Sequence, residues 1–177
     1  MKKKTRISKS FLYYLGALVV VGLLAGILMI RSGSQSVSLQ KATAFALKDH
    51  LGQSYRLQDF RGKVVLLHFW ATWCPPCLEE IPHVIQMAKQ LQNKPIMILA
   101  ISVDQRWEDA LKIFPVKNLP DNIVLLLDPE AKVASAYGVF KFPETFFLNK
   151  DFYVVTRWIG SQNWEKDYYE KLMSKYL

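Results

Sequence analysis

The sequence predicts an α/β protein, a sheet with helices on both faces, and three features carry that reading. Val64–Trp70, Ile96–Val103 and Ile123–Leu127 are apolar but for His68 and Ser102, as strands buried on both faces are. Helical patterns at Leu78–Leu91, Arg106–Val116 and Ala131–Tyr137 alternate with them. A hairpin and a final helix close the chain, which places helices on both sides of one sheet.

In chain order, residues 1–10 form a basic segment and residues 11–30 an apolar one, FLYYLGALVVVGLLAGILMI, with no charge and no proline. At helical rise this run spans about 30 Å, the thickness of a bilayer's hydrocarbon core. The expectation is one transmembrane helix that is retained. A cleaved signal peptide is the alternative, but the run exceeds an ordinary signal core and no A-x-A-like site follows it. Lys2, Lys3, Lys4, Arg6 and Lys9 precede the helix and Arg31 alone follows closely, so the N-terminus is expected in the cytoplasm and the body outside it. Residues 31–41, with SGSQSVSLQ at 32–40, have the composition of a tether, and residues 42–177 are the folded domain.

The domain opens with short strands at Ala44–Leu47 and Ser54–Leu57 around the turn Asp49-His50-Leu51-Gly52. Gly62-Lys63 leads into the first buried strand. Pro115 interrupts the second helical pattern, and Gly138 closes the third. Thr145–Leu148 and Tyr153–Ile159 flank Asn149-Lys150-Asp151 as a hairpin, and Asn163 is placed to cap a helix over Trp164–Tyr176.

Charge and cysteine content exclude two function classes. The chain of 177 residues carries a formal +8, but six of its 23 basic residues lie in residues 1–31, where there is no acid. The remainder holds 17 basic residues against 15 acidic, a net of +2, without the concentrated basic surface that a nucleic-acid binder needs. Two cysteines cannot staple a disulfide scaffold.

Those two cysteines form the feature that carries chemistry, Trp73-Cys74-Pro75-Pro76-Cys77, between the buried strand and a helix starting near Pro75. Prolines suit a first helical turn, where amide protons have no intrahelical partner. Cys74 then sits at the helix N-terminus, whose free amides and dipole favour its thiolate. One turn brings Cys77 beside it, so a short disulfide can close. Cys74 is expected exposed and nucleophilic, Cys77 shielded and poised to resolve a mixed disulfide. Zinc binding needs four ligands, and His50, His68 and His83 are scattered among different elements, so no metal and no cofactor is expected. A structural disulfide over so small a loop would stabilise little.

The stretches Gly62-Lys63-Val64-Val65-Leu66-Leu67, Phe69-Trp70-Ala71-Thr72-Trp73-Cys74-Pro75-Pro76-Cys77, Ile101-Ser102-Val103-Asp104, Tyr137-Gly138-Val139 and Pro143-Glu144-Thr145-Phe146 resemble the thioredoxin superfamily. More narrowly, the chain is similar to the membrane-anchored TlpA/ResA/DsbE (CcmG) thiol–disulfide oxidoreductases over residues 42–177. The resemblance implies a thioredoxin fold with an N-terminal β-hairpin and a central αβ insertion over Asp104–Asp128. It implies that Pro143 is cis and abuts the dithiol, and that Trp73, Phe142, Pro143, Glu144 and Thr145 bind the client. Pro82 matches the proline inside the active-site helix. Glu80, three residues after Cys77 on one helix face, is implied as the proton partner of the second cysteine; Glu79 points elsewhere. His68 stands where this branch usually has asparagine, and reads either as a proton acceptor behind Cys77 or as a hydrogen-bonded core histidine. Phe142 departs from the small residue or threonine expected before the cis proline.

The resemblance further implies an enzyme of the bacterial cytoplasmic membrane with its domain on the extracytoplasmic side, reducing disulfides in client proteins such as apocytochrome c. It implies re-reduction by a membrane donor of the CcdA/DsbD type. A disulfide oxidase or isomerase, a peroxiredoxin-like peroxidase and a non-catalytic binding module are the competing readings.

Overall fold

The computed structural model describes residues 40–164 and 167–177. The predicted membrane segment 11–30 and nearly all of the tether lie outside the described residues. No helix among the described residues is long and apolar enough to cross a membrane.

Seven strands make one sheet: β1 Ala46–Lys48, β2 Ser54–Arg56, β3 Val64–Trp70, β4 Ile96–Ser102, β5 Ile123–Leu127, β6 Glu144–Leu148 and β7 Val154–Ile159. Their spatial order is β2-β1-β5-β4-β3-β6-β7. The central β5, β4 and β3 are parallel, and β6 and β7 add on antiparallel. The helices are α1 Pro75–Leu91, α2 Trp107–Ile113, α3 Lys132–Ala136 and α4 Asp167–Ser174. This is the predicted architecture, including the N-terminal hairpin and the inserted α2 and β5 between Asp104 and Asp128.

Strand alternation divides the core in two. Val64, Leu66 and Trp70 of β3 face one side with α1, Phe114 and α4 residues Tyr169 and Met173. Val65, Leu67 and Phe69 face the other with Val133 and Ala134 of α3, Phe60 and Phe152. Because both faces are covered, every residue of β3 and β4 is buried, which is why those runs lack polar alternation.

Several boundaries differ from the sequence expectation. Strand β1 begins at Ala46, and the Asp49 carboxylate makes its turn by accepting from the amides of Leu51 and Gln53 at 2.9 and 2.8 Å. Leu57 leaves the strand for a 3-10 turn over Leu57–Phe60, started by the Asp59 carboxylate accepting from the Arg56 amide at 2.8 Å. Helix α2 ends at Ile113, because the residue before Pro115 is forced extended; Phe114 has φ −91 and ψ 111. Helix α4 is described from Asp167, with Trp164 in a turn ahead of it rather than inside it. Helix α3 closes as predicted on Gly138, whose φ of 66 suits glycine, with amides 138 and 139 returning to carbonyls 135 and 134.

Candidate active site

The buried strand β3 delivers its C-terminal end at Trp70, and the chain turns through Ala71-Thr72-Trp73 into α1. Cys74 is the N-cap, extended at φ −106 and ψ 99, with Pro75 and Pro76 in the first turn. The two prolines bring no amide protons, and the Cys74 carbonyl accepts from the amides of Cys77 and Leu78 at 3.0 and 3.3 Å. That geometry sets the Cα atoms 5.3 Å apart, and Cys74 and Cys77 are joined in a disulfide. The expected order of access holds, in reduced measure. Cys74 keeps 5% of its surface open and Cys77 none. The predicted exposure of Cys74 is therefore confined, in the disulfide form, to a narrow opening.

Beside that opening stands an aromatic ledge. Trp73 is 64% exposed and meets Phe142 edge-to-face at 5.4 Å. The Phe142–Pro143 bond is cis, as the resemblance implied, and the Pro143 carbonyl accepts from the Gly160 amide at 2.8 Å. Trp73 and Phe142 thus meet at one surface, and Pro143, next in the chain, is buried.

Glu144 and Thr145 do not reach that surface. Glu144 is fully buried on the opposite face of β6, where it accepts from the Arg157 guanidinium. Strand alternation sends it away from the dithiol, so it presents nothing to a client. Thr145 pairs with His68 across β6 and β3, and its hydroxyl lies 2.9 Å from His68 Nδ1. Thr145 is buried too and serves the interior. Burial lowers the His68 pKa from 6.5 to about 4, so near neutral pH it is an uncharged, hydrogen-bonded core histidine. Its Nε2 has no partner among the described residues.

Glu80 is buried one turn beyond Cys77. Its Oε1 accepts from the Gln162 amide at 3.2 Å and from the Trp164 indole N–H, and its Oε2 has no partner among the described residues. Burial raises its pKa from 4.5 to about 7, against the opposing pull of the Gln162 and Trp164 donors and of the nearby His83. A carboxyl poised there is suited to proton exchange near neutrality. Glu79, its neighbour on α1, is exposed.

Sequence reasoning missed two supports of the site. Asp104, 4% exposed, accepts from the Thr72 hydroxyl at 2.7 Å, the Thr72 amide at 3.1 Å and the Ser102 hydroxyl at 2.7 Å. It ties the loop before Cys74 to the end of β4. The signal was present, since parallel neighbours put Trp70 opposite Ser102 and therefore Thr72 beside Asp104. The other is the pair of donors on Glu80, which arrive from a distant loop and left no local signal. Among the described residues, no group of three or more His, Cys, Asp or Glu side chains could hold a metal.

The AhpC/TSA family pattern matches residues 39–157. The thiol-disulfide oxidoreductase ResA of a Bacillus cereus strain is 34% identical over 127 residues, 72% of this chain and 72% of that one. ResA of Bacillus subtilis (strain 168) is 34% identical over 125 residues, 70% of this chain and 69% of its own. The chain belongs to the AhpC/TSA family as a ResA-like thiol–disulfide oxidoreductase. Among solved structures, a protein of Chlorobium tepidum assigned as the thiol:disulfide interchange protein DsbE superposes with a TM-score of 0.67 at 29% identity. The match covers 77% of this chain and 94% of that chain. In such an oxidoreductase the redox centre is the cysteine pair itself. Here that centre is Cys74–Cys77.

Proposed function

We propose that this oxidoreductase works outside the cytoplasmic membrane as a reductant of disulfides in client proteins, with apocytochrome c as the client class. The observation that carries the reductive direction is the Glu80 carboxyl, buried one turn from Cys77 with a bare Oε2. A carboxylate lodged there disfavours a thiolate on Cys77, and a destabilised reduced pair is a stronger reductant.

The cycle begins with both cysteines reduced. The Cys74 thiolate attacks one sulfur of a client disulfide; that bond breaks and the client's other sulfur leaves and takes a proton. Cys77 gives its proton to Glu80, and its thiolate attacks the Cys74 sulfur. The mixed disulfide breaks, the second client sulfur leaves and takes a proton, Glu80 releases the one it accepted, and the Cys74–Cys77 disulfide remains. The client has gained two electrons and the enzyme has lost two. A membrane donor of the CcdA/DsbD type returns them with two protons. An apocytochrome c fits as client because its C-x-x-C-H motif must be reduced before haem attachment. The location is supported by the length of the apolar run 11–30 and the basic residues before it, with residues 31–41 as tether.

Two measurements test this reading. The potential of the Cys74–Cys77 couple is expected below that of glutathione; a value above it favours an oxidase or isomerase. Full-length Cys77→Ser in cells should accumulate mixed disulfides with exported proteins. Capture of cytoplasmic proteins alone would overturn the location.

A further inference from the structure

We propose that Trp164 is a positioning residue for the proton step, a clamp that fixes the Glu80 carboxyl and sets its proton affinity through the donated indole N–H. This rests on the reading of Glu80 as the proton partner of Cys77.

The clamp is built from a loop far away in sequence. Trp164 is 4% exposed, and its N–H ends on Glu80 Oε1 together with the amide of Gln162. The indole is itself wedged: Trp158 meets it edge-to-face at 5.4 Å, and the ring of Tyr169 of α4 lies tilted against it at 4.8 Å. The Tyr169 hydroxyl donates to Gln162 Oε1 at 2.8 Å, and Gln162 Nε2 donates to the Gly160 carbonyl at 2.8 Å. Two ring contacts and two hydrogen bonds therefore hold the loop besides its donors to the carboxyl. Both clamp donors go to Oε1, and Oε2 is left bare. One oxygen is anchored and the other is open to the proton that Cys77 gives up.

Donors to the charged form favour it, so the clamp opposes burial. Without the clamp, Glu80 would hold its proton too tightly to accept another near neutrality. Among the described residues, the other ionisable groups around it are Cys77 and His83 on its own helix, the neighbouring Glu79, and Tyr169 from α4. Glu80 also lines a cleft of about 380 Å³ with Glu79, His83, Ser161, Gln162 and Asn163, which gives the accepted proton a way to solvent.

The test uses the full chain in detergent and follows the side-chain carboxyl carbon resonance of Glu80 in the disulfide form, identified by its loss in Glu80→Gln. Trp164→Phe keeps a ring and removes the donor. Its Glu80 midpoint should rise by about one pH unit, a tenfold gain in proton affinity. Trp158→Phe disturbs the packing and takes no donor from Glu80, and should leave the midpoint in place. A midpoint unmoved in Trp164→Phe, or moved equally in Trp158→Phe, overturns the clamp. Should Trp164→Phe fail to fold, the wild-type Trp164 indole proton decides: it should shift with the Glu80 midpoint, and an invariant resonance overturns the proposal. The parent reading fails separately, if Glu80→Gln leaves the titration of the Cys77 thiol in the reduced chain unchanged.

Discussion

Glu80 and Glu144 are both buried carboxyls of this domain, and their surroundings give them different work. Glu144 has the Arg157 guanidinium against it, a pairing whose loss through removal of Arg157 would leave an uncompensated buried carboxylate. Among the described residues each carboxyl leaves its Oε2 without a partner, but the Oε1 of Glu80 has only the uncharged amide and indole donors and no guanidinium. The first arrangement holds a sheet together; the second holds a proton on loan. In Glu80→Gln, release of the mixed disulfide at neutral pH should slow by about 100-fold, the lower range for loss of a positioned acid–base group. The inflection that Glu80 places about pH 7 should vanish from the rate profile. Quenched-flow measurement of the mixed disulfide checks this, and a profile unchanged from wild type would show that Cys77 loses its proton elsewhere. Cys74, Cys77 and Glu80 were legible because helix geometry relates residues three apart wherever the helix lies. Glu144 and Thr145 are both buried, Glu144 on the far face of β6 by strand alternation and Thr145 against His68 on the dithiol face, an interior pairing that a motif read along one strand does not show.

The same contrast between local and long-range order governs the elements. Strands β3 and β5 appear over the predicted residues, since a strand covered on both faces is a nearly unbroken apolar run, interrupted here only by His68 of β3. The 3-10 turn after β2 and the early end of α2 depend on one carboxylate and one proline, signals too small to outweigh a periodic pattern. Asp104 shows what such a small signal can hold. Asp104→Ala would leave the Thr72 amide, the Thr72 hydroxyl and the Ser102 hydroxyl without their acceptor, at a cost of about 3 kcal/mol. Leu66→Ala, in the core beneath α1, should cost a similar amount by opening a cavity, about 3 kcal/mol. Amide exchange separates the two. The Thr72 amide should exchange faster in Asp104→Ala through local opening of the active-site loop, and in Leu66→Ala only in step with global unfolding. Equal protection of Thr72 in both variants would mean that Asp104 does not hold the loop.

Across the whole molecule, two buried groups on the dithiol side of the sheet shift in opposite directions, and their effects on stability cancel. His68 falls from 6.5 to about 4 on folding, because its buried ring resists charge. It contributes stability that is complete above pH 6.5 and is lost as pH falls toward 4. Glu80 rises from 4.5 to about 7, because its buried carboxyl resists charge. It contributes stability that is complete below pH 4.5 and is lost as pH rises toward 7. Between pH 4.5 and 6.5 the unfolded chain carries one proton on the histidine and none on the glutamate, while the folded chain carries none and one. The proton counts match, so unfolding should show no slope from this pair. The surface carboxyls of Asp59 and Asp109, held low by Arg56 and by Lys112 and Arg106, titrate below that window. Each substitution uncovers the partner's slope of about 1.4 kcal/mol per pH unit. His68→Asn should lose about 3 kcal/mol from pH 4.5 to 6.5, Glu80→Gln should gain about 3 kcal/mol over the same range, and the double variant should be flat again. Urea unfolding of the disulfide form at three pH values in that window measures all four. Slopes of the same sign in the two single variants would break the cancellation and, with it, the assignment of one buried group as neutral base and the other as neutral acid.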